Sequence, residues 1–113
     1  MPNILDEIVA RKRRELAVAR ERVPTAALEG RLAAAPPVRD FFAAVSRPGR
    51  IRLIAEFKRR SPSAGEIRPG ESIEDIVRDY ADAGADALSV LTDGIGFGGS
   101  LIDLETARIA VTL

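Results

Sequence analysis

The chain contains no cysteine, no histidine and no tryptophan. Without cysteine there is neither a disulfide framework nor a thiolate metal site. Without histidine, a Ser-His-Asp triad and a His-ligated zinc are both excluded. Carboxylates, amines and hydroxyls are what remains for chemistry. Aromatic residues make up only 4%, so the core has to be built mainly from aliphatic side chains. Lys plus Arg and Asp plus Glu each number 17, for a formal net charge of zero. That balance argues against a general polyanion binder, which carries a basic excess, and no nucleic-acid partner is expected. No apolar run approaches the ~20 residues of a membrane span, and acidic residues by position 6 are unlike a secretory signal. No membrane partner is expected, and the cysteine-free composition is compatible with the cytoplasm. A length of 113 residues bounds the chain at one ordinary domain at most.

What is present is organised around Ile51 to Gly65. The segment starts as a strand in which Leu53, Ala55 and Phe57 point one way and Ile54, Glu56 and Lys58 the other. Both faces are largely apolar, which predicts a parallel strand buried on two sides. One face nevertheless ends in a carboxylate and an amine, with Cα atoms about 6–7 Å apart. Buried charge is costly unless it is paired or used. Glu56 and Lys58 therefore form either a structural ion pair at a strand end or the rim of an active site. The chain leaves through Ser61-Pro62-Ser63-Ala64-Gly65, a polar turn-forming run. The connection from Arg59 to Glu71 is long, and long connections are more often functional.

Residues 1–48 read as a helical extension. Ile4, Leu5, Ile8, Val9 and Leu16 recur at helical spacing over 3–21, with Asn3 as the N-cap. Arg11-Lys12-Arg13-Arg14 is basic, but Asp6, Glu7, Glu15 and Glu21 interleave with it, the pattern of a solvated face with local ion pairs. Pro24 ends this helix. Thr25 is placed to cap a short second helix through Leu32, and Ala33 to Pro37 is a connector. Val38 to Val45 predicts another short helix, and Pro48-Gly49 a turn.

From residue 49 the order is strand, helix, strand, helix. Ser72 with Asp75 starts a helix whose stripe is Ile73, Ile76, Val77, Tyr80 and Ala81, ending at Gly84. Ala87 to Leu91 is a second buried strand. Thr92 to Gly99 is a glycine-rich loop that fits neither G-x-G-x-x-G nor a Walker pattern. It is either a phosphate cradle or a flexible turn, and Phe97 within it needs something to pack on. Ser100 with Asp103 caps a last helix, Leu101 to about Val111. A β-α-β-α order implies parallel strands, here 51–57 beside 87–91, joined by crossover helices.

Ile54-Ala55-Glu56-Phe57-Lys58-Arg59-Arg60-Ser61-Pro62-Ser63 closely resembles the first-strand signature of the indole-3-glycerol-phosphate synthase family. Ala83-Gly84-Ala85-Asp86-Ala87-Leu88-Ser89-Val90-Leu91-Thr92-Asp93, followed by Phe97-Gly98-Gly99-Ser100-Leu101, is similar to a second block of that family. Ile4 to Lys12 resembles the helix that precedes its barrel, and Arg39-Asp40-Phe41 also fits. The resemblance implies a TIM (βα)₈ barrel, of which residues 49–113 would be the first two βα units. It implies a cytoplasmic lyase of tryptophan biosynthesis that works without metal or organic cofactor on a small anionic substrate bearing a carboxylate and a phosphate. Association with other enzymes of that pathway is also implied.

Carried over residue by residue, Glu56 and Lys58 would be catalytic. Glu56 would orient substrate and neighbouring lysines, and Lys58 would supply charge to a substrate anion. Ser61, Pro62 and Phe97 would bind substrate. Where the family usually has charged or aromatic residues in the second loop, this chain has Gly94-Ile95-Gly96. A barrel of this kind needs about 250 residues, and the family's third-strand lysine, later glutamate and phosphate loops are not among these 113. The 113 residues alone are thus expected to be inactive and, with open strand edges, partly molten or self-associating. The alternative is a non-catalytic βαβα interaction module, or a split-barrel half that needs a partner chain.

Overall fold

A computed structural model describes residues 1–113 as two compact units, Met1–Val38 and Arg39–Leu113.

In the first unit α1 spans Ile4–Arg22. Asn3 caps it through a reciprocal box: the Asn3 side chain accepts from the Asp6 amide at 3.0 Å, and the Asp6 carboxylate accepts from the Asn3 amide at 2.9 Å. Arg11 and Lys12 both pair with Glu15, at 3.3 and 2.6 Å. The basic run is thus partly neutralised within its own helix. Helix α2, Thr25–Glu29, takes Pro24 rather than Thr25 as its N-cap. Pro24 has the extended ψ a cap requires, so Thr25 becomes the first helical residue. The helix stops short of the predicted Leu32, and Leu32–Ala34 forms a separate 3₁₀ turn ahead of Pro36-Pro37, which bars helical continuation.

The second unit opens with α3, Phe41–Ser46. It starts later than the predicted Val38 because the Asp40 side chain caps it, accepting from the Ala43 amide at 2.9 Å. Strands β1 (Ile54–Phe57) and β4 (Ala87–Val90) pair in parallel, with Ile54 opposite Ala87, Glu56 opposite Ser89 and Phe57 opposite Val90. Between them, Arg60–Ser61 (β2) and Gly65–Glu66 (β3) form a small antiparallel ribbon, where the sequence reads only as a long loop. Helix α4, Ile73–Asp82, is capped by Ser72, whose hydroxyl accepts from the Asp75 amide at 3.2 Å. The glycine-rich loop contains a short helix, α5 (Gly94–Phe97), capped by Asp93. Helix α6, Leu101–Ala110, is capped by Ser100.

The core joins Phe57, Ile73, Ile76, Val77 and Ala107, with Tyr80, Leu88 and Val90 packed against it. It lies on one side of the sheet. Phe57 is 4% exposed while Ile54, on the opposite face, is 48% exposed. The expectation of a strand buried on both faces is therefore not met in this chain. Helices α4 and α6 both contribute to the Phe57 side, and on the other face Ile54 and Glu56 are exposed while Ala87, the register partner of Ile54, is buried. No helix is long and apolar enough to cross a membrane. Arg39 donates to the carbonyls of Arg108, Val111 and Leu113 at 3.0, 2.9 and 2.8 Å, gripping the end of α6.

Candidate active site at the strand ends

Strand β1 delivers Glu56 and then Lys58 to its C-terminal end, two residues apart and therefore on one face. Lys58 Nζ lies 3.1 Å from Glu56 Oε1. From the neighbouring strand, the Ser89 hydroxyl donates to Glu56 Oε2 at 3.0 Å, as the register that sets Ser89 opposite Glu56 requires. The Lys58 ammonium, followed by the Ser89 hydroxyl, holds the Glu56 carboxyl below the ordinary carboxylate range, against a smaller opposing effect of burial. Lys58 Nζ also sits 5.9 Å from the centroid of the Phe97 ring, within cation–π range. Glu56 and Lys58 keep 46% and 33% side-chain exposure. A carboxylate, an ammonium, a hydroxyl and an aromatic ring thus meet on an accessible surface.

Ser61 and Pro62 lie in the β2–β3 ribbon that follows Lys58. The Ser61 hydroxyl accepts from the Ala64 amide at 3.0 Å and lies 3.4 Å from the Ser63 hydroxyl. It closes the turn of the ribbon, and Pro62 is exposed there.

Two polar groups escape a residue-by-residue reading. One is Ser89, which bonds Glu56. The other, on the core side of β1, is the pair Arg59–Asp103: Arg59 Nε and Nη2 fork onto the two Asp103 oxygens at 3.1 and 2.7 Å. The guanidinium also sits 5.5 Å from the Phe57 ring centroid. Asp103 raises the Arg59 pKa further above its ordinary value. Asp103 is only 7% exposed. It lies four residues before the buried Ala107, on the inward stripe of α6, and an acid there needs a counter-charge; that was the available signal. Gly99 closes the second loop. A Cβ there would stand 2.0 Å from the Leu91 carbonyl oxygen, so only glycine fits.

A parallel βαβ unit with its polar side chains gathered at the C-terminal ends of the strands has the arrangement of α/β enzymes, whose sites form at that edge of the sheet. The model of the indole-3-glycerol phosphate synthase family matches residues 5–113, and the chain belongs to that family. It is 50% identical over 106 residues to an indole-3-glycerol phosphate synthase of Opitutus terrae, a match covering 93% of this chain and 40% of that protein. It is 45% identical over 116 residues to that of Hyphomonas neptunium, covering 100% of this chain and 44% of the relative. For the Saccharopolyspora erythraea protein of the same name the identity is 44% over 110 residues, covering 97% and 40%. The chain spans about two fifths of the length of the curated relatives it matches.

Proposed function

We propose that this chain supplies the first two βα units of a (βα)₈ indole-3-glycerol phosphate synthase. The reaction closes the indole ring of 1-(2-carboxyphenylamino)-1-deoxyribulose 5-phosphate with loss of CO₂ and water. The observation that carries the reading is the Glu56–Lys58–Ser89 cluster at the C-terminal ends of β1 and β4, with the Phe97 ring beside it.

Each side chain has a task that its geometry supports. Ser89 and Lys58 hold the Glu56 carboxylate in place, and Glu56 in turn fixes the Lys58 ammonium at the strand end. A fixed cation there attracts the substrate's anionic groups and stabilises charge that develops as the ring closes. In a completed barrel the open face of β1 would be covered, and the attraction would exceed the ~1 kcal/mol of two charges in water. The Phe97 ring offers an apolar plane for the substrate's aryl group. The remaining acid, base and phosphate-binding groups fall to the three fifths of the relatives that this chain does not span, so residues 1–113 alone are inactive.

Grafting residues 1–113 onto the remainder of the Opitutus terrae relative tests this. The hybrid should form indole-3-glycerol phosphate, and Lys58→Ala should lower its kcat/KM by roughly 10²-fold or more with only a small fall in melting temperature. Unchanged kcat/KM in Lys58→Ala, with reduced stability instead, would reduce Glu56 and Lys58 to a structural ion pair.

A further inference from the structure

Within the second loop Asp93 caps α5, accepting from the Gly96 amide at 3.0 Å, but Gly94-Ile95-Gly96 adds no charged side chain, and the loop carries Phe97. A second anchor comes from the first loop. Arg60 starts the β2–β3 ribbon two residues after Lys58, and its Nη2 donates to the Ile95 carbonyl at 3.2 Å and to the Gly94 carbonyl at 3.4 Å. These are carbonyls of the single turn of α5, which is too short to satisfy all of its own acceptors. The arginine shaft lies against Gly98: a Cβ at that position would be 3.3 Å from Arg60 Nε and 3.5 Å from Arg60 Cγ. Across the ribbon, Glu66 is the register partner of Arg60 and lies 4.0 Å from its Nη1. The guanidinium therefore bridges the ribbon to the turn that holds Phe97.

We propose that Arg60 is an interloop latch, a positioning residue that holds the α5 turn so that the Phe97 ring stays beside the Lys58 ammonium. Phe97 lies between the latched Ile95 carbonyl and the Gly98 backbone against which the arginine packs. Displacing the turn displaces the ring. Because the grip is on backbone carbonyls, it needs nothing from the loop's side chains, which suits a loop of glycines. One guanidinium nitrogen, Nη2, reaches both carbonyls while the arginine shaft packs on Gly98; a lysine ammonium in its place lacks the fixed planar geometry and holds the turn less rigidly. Only the kinetic consequence rests on the proposed synthase function; the latch itself does not.

The test compares the Opitutus hybrid with its Arg60→Ala and Arg60→Lys variants by NMR. The Gly98 amide bonds to the Gly94 carbonyl at 2.9 Å and the Gly99 amide to the Asp93 carbonyl at 2.8 Å. Exchange of both amides should rise roughly tenfold in Arg60→Ala and less in Arg60→Lys, as local opening becomes easier. The ring-current shift of the Lys58 side-chain protons should shrink in the same order. The Leu91 amide, bonded to the Phe57 carbonyl at 3.0 Å, serves as control and should not change. Unchanged exchange and shift would overturn the latch, and so would an equal rise at Leu91, which would mean general loosening. In the Opitutus hybrid, Arg60→Ala should raise KM several-fold with kcat within about twofold, since ring position acts on binding; an unaltered KM overturns the latch for an active hybrid. A hybrid inactive with Arg60 in place counts against the proposed function, and the NMR comparison then decides the latch by itself.

Discussion

At the N-terminal end of the β1–β4 pair, Asp86 accepts from the Leu53 amide at 2.9 Å and faces both Arg50 and Arg52. At the C-terminal end, Glu56 faces Lys58 and Ser89. Both carboxyls are held below their ordinary range, Asp86 first by the Leu53 amide and then by Arg52 and Arg50, Glu56 first by Lys58. The difference lies in what surrounds them. The Asp86 side chain is 10% exposed and its oxygens are taken by backbone and guanidinium donors, while that of Glu56 is 46% exposed beside an ammonium that still reaches solvent. A carboxylate whose acceptor positions are filled joins two strands. One that remains accessible can also serve a ligand. The same sheet thus closes one acid in between its strands and leaves the other half exposed to solvent.

The comparison can be broken by substitution. Asp86→Ala should have the larger effect on stability. It strips the Leu53 amide of its partner and leaves Arg50 and Arg52 without their acid, so the urea midpoint should fall further than in Glu56→Ala. In the Opitutus hybrid, turnover per folded molecule should survive Asp86→Ala and not Glu56→Ala. Equal midpoints for the two variants would show that the ends do not divide their work in this way.

Acid sharpens the same contrast. Both carboxyls have a lower pKa folded than unfolded, so as pH falls the unfolded chain takes up protons first. Their contribution is complete above the ordinary carboxylate range, about pH 4, and is lost as pH falls through the lowered folded values. The fall in urea midpoint between pH 6 and 3 should be flattened by Asp86→Asn more than by Glu56→Gln, because the half-exposed Glu56 pair is screened by solvent. A larger flattening by Glu56→Gln would reverse the assignment.

The smallest effect is expected from Ser89→Ala. Removing one exposed hydroxyl should cost about 1 kcal/mol or less, while the Glu56 pKa, followed by carboxyl NMR, moves up toward its ordinary value. No movement would mean that Lys58 alone sets the charge of Glu56.

The sequence carries the local features well. Asn3, Ser72 and Ser100 act as the caps their side chains predict, and the two-residue period places Glu56 and Lys58 together. Neither statement needs anything beyond a few neighbouring residues. Ser89 needs the register of two strands separated by a helix, and Arg59–Asp103 needs a contact across 44 positions; neither is a local property. Ser61, like the caps, is local: a hydroxyl ahead of a tight turn finds the Ala64 amide. Ile54 was misread because apolar character tells what a side chain favours, not which face the helices of this chain cover.

The grip of Arg39 on the end of α6 has a consequence in time. Its three acceptors lie 69, 72 and 74 residues further along the chain. At synthesis rates of about 5–20 residues per second, roughly 4–15 s pass between making the arginine and making its last acceptor. We expect the second unit to stay unlatched over that interval, with α3 waiting on a helix not yet made. Ribosome-stalled chains ending before Arg108 should be cut by protease within 39–46 faster than chains that include α6; equal rates would show that α3 settles without it.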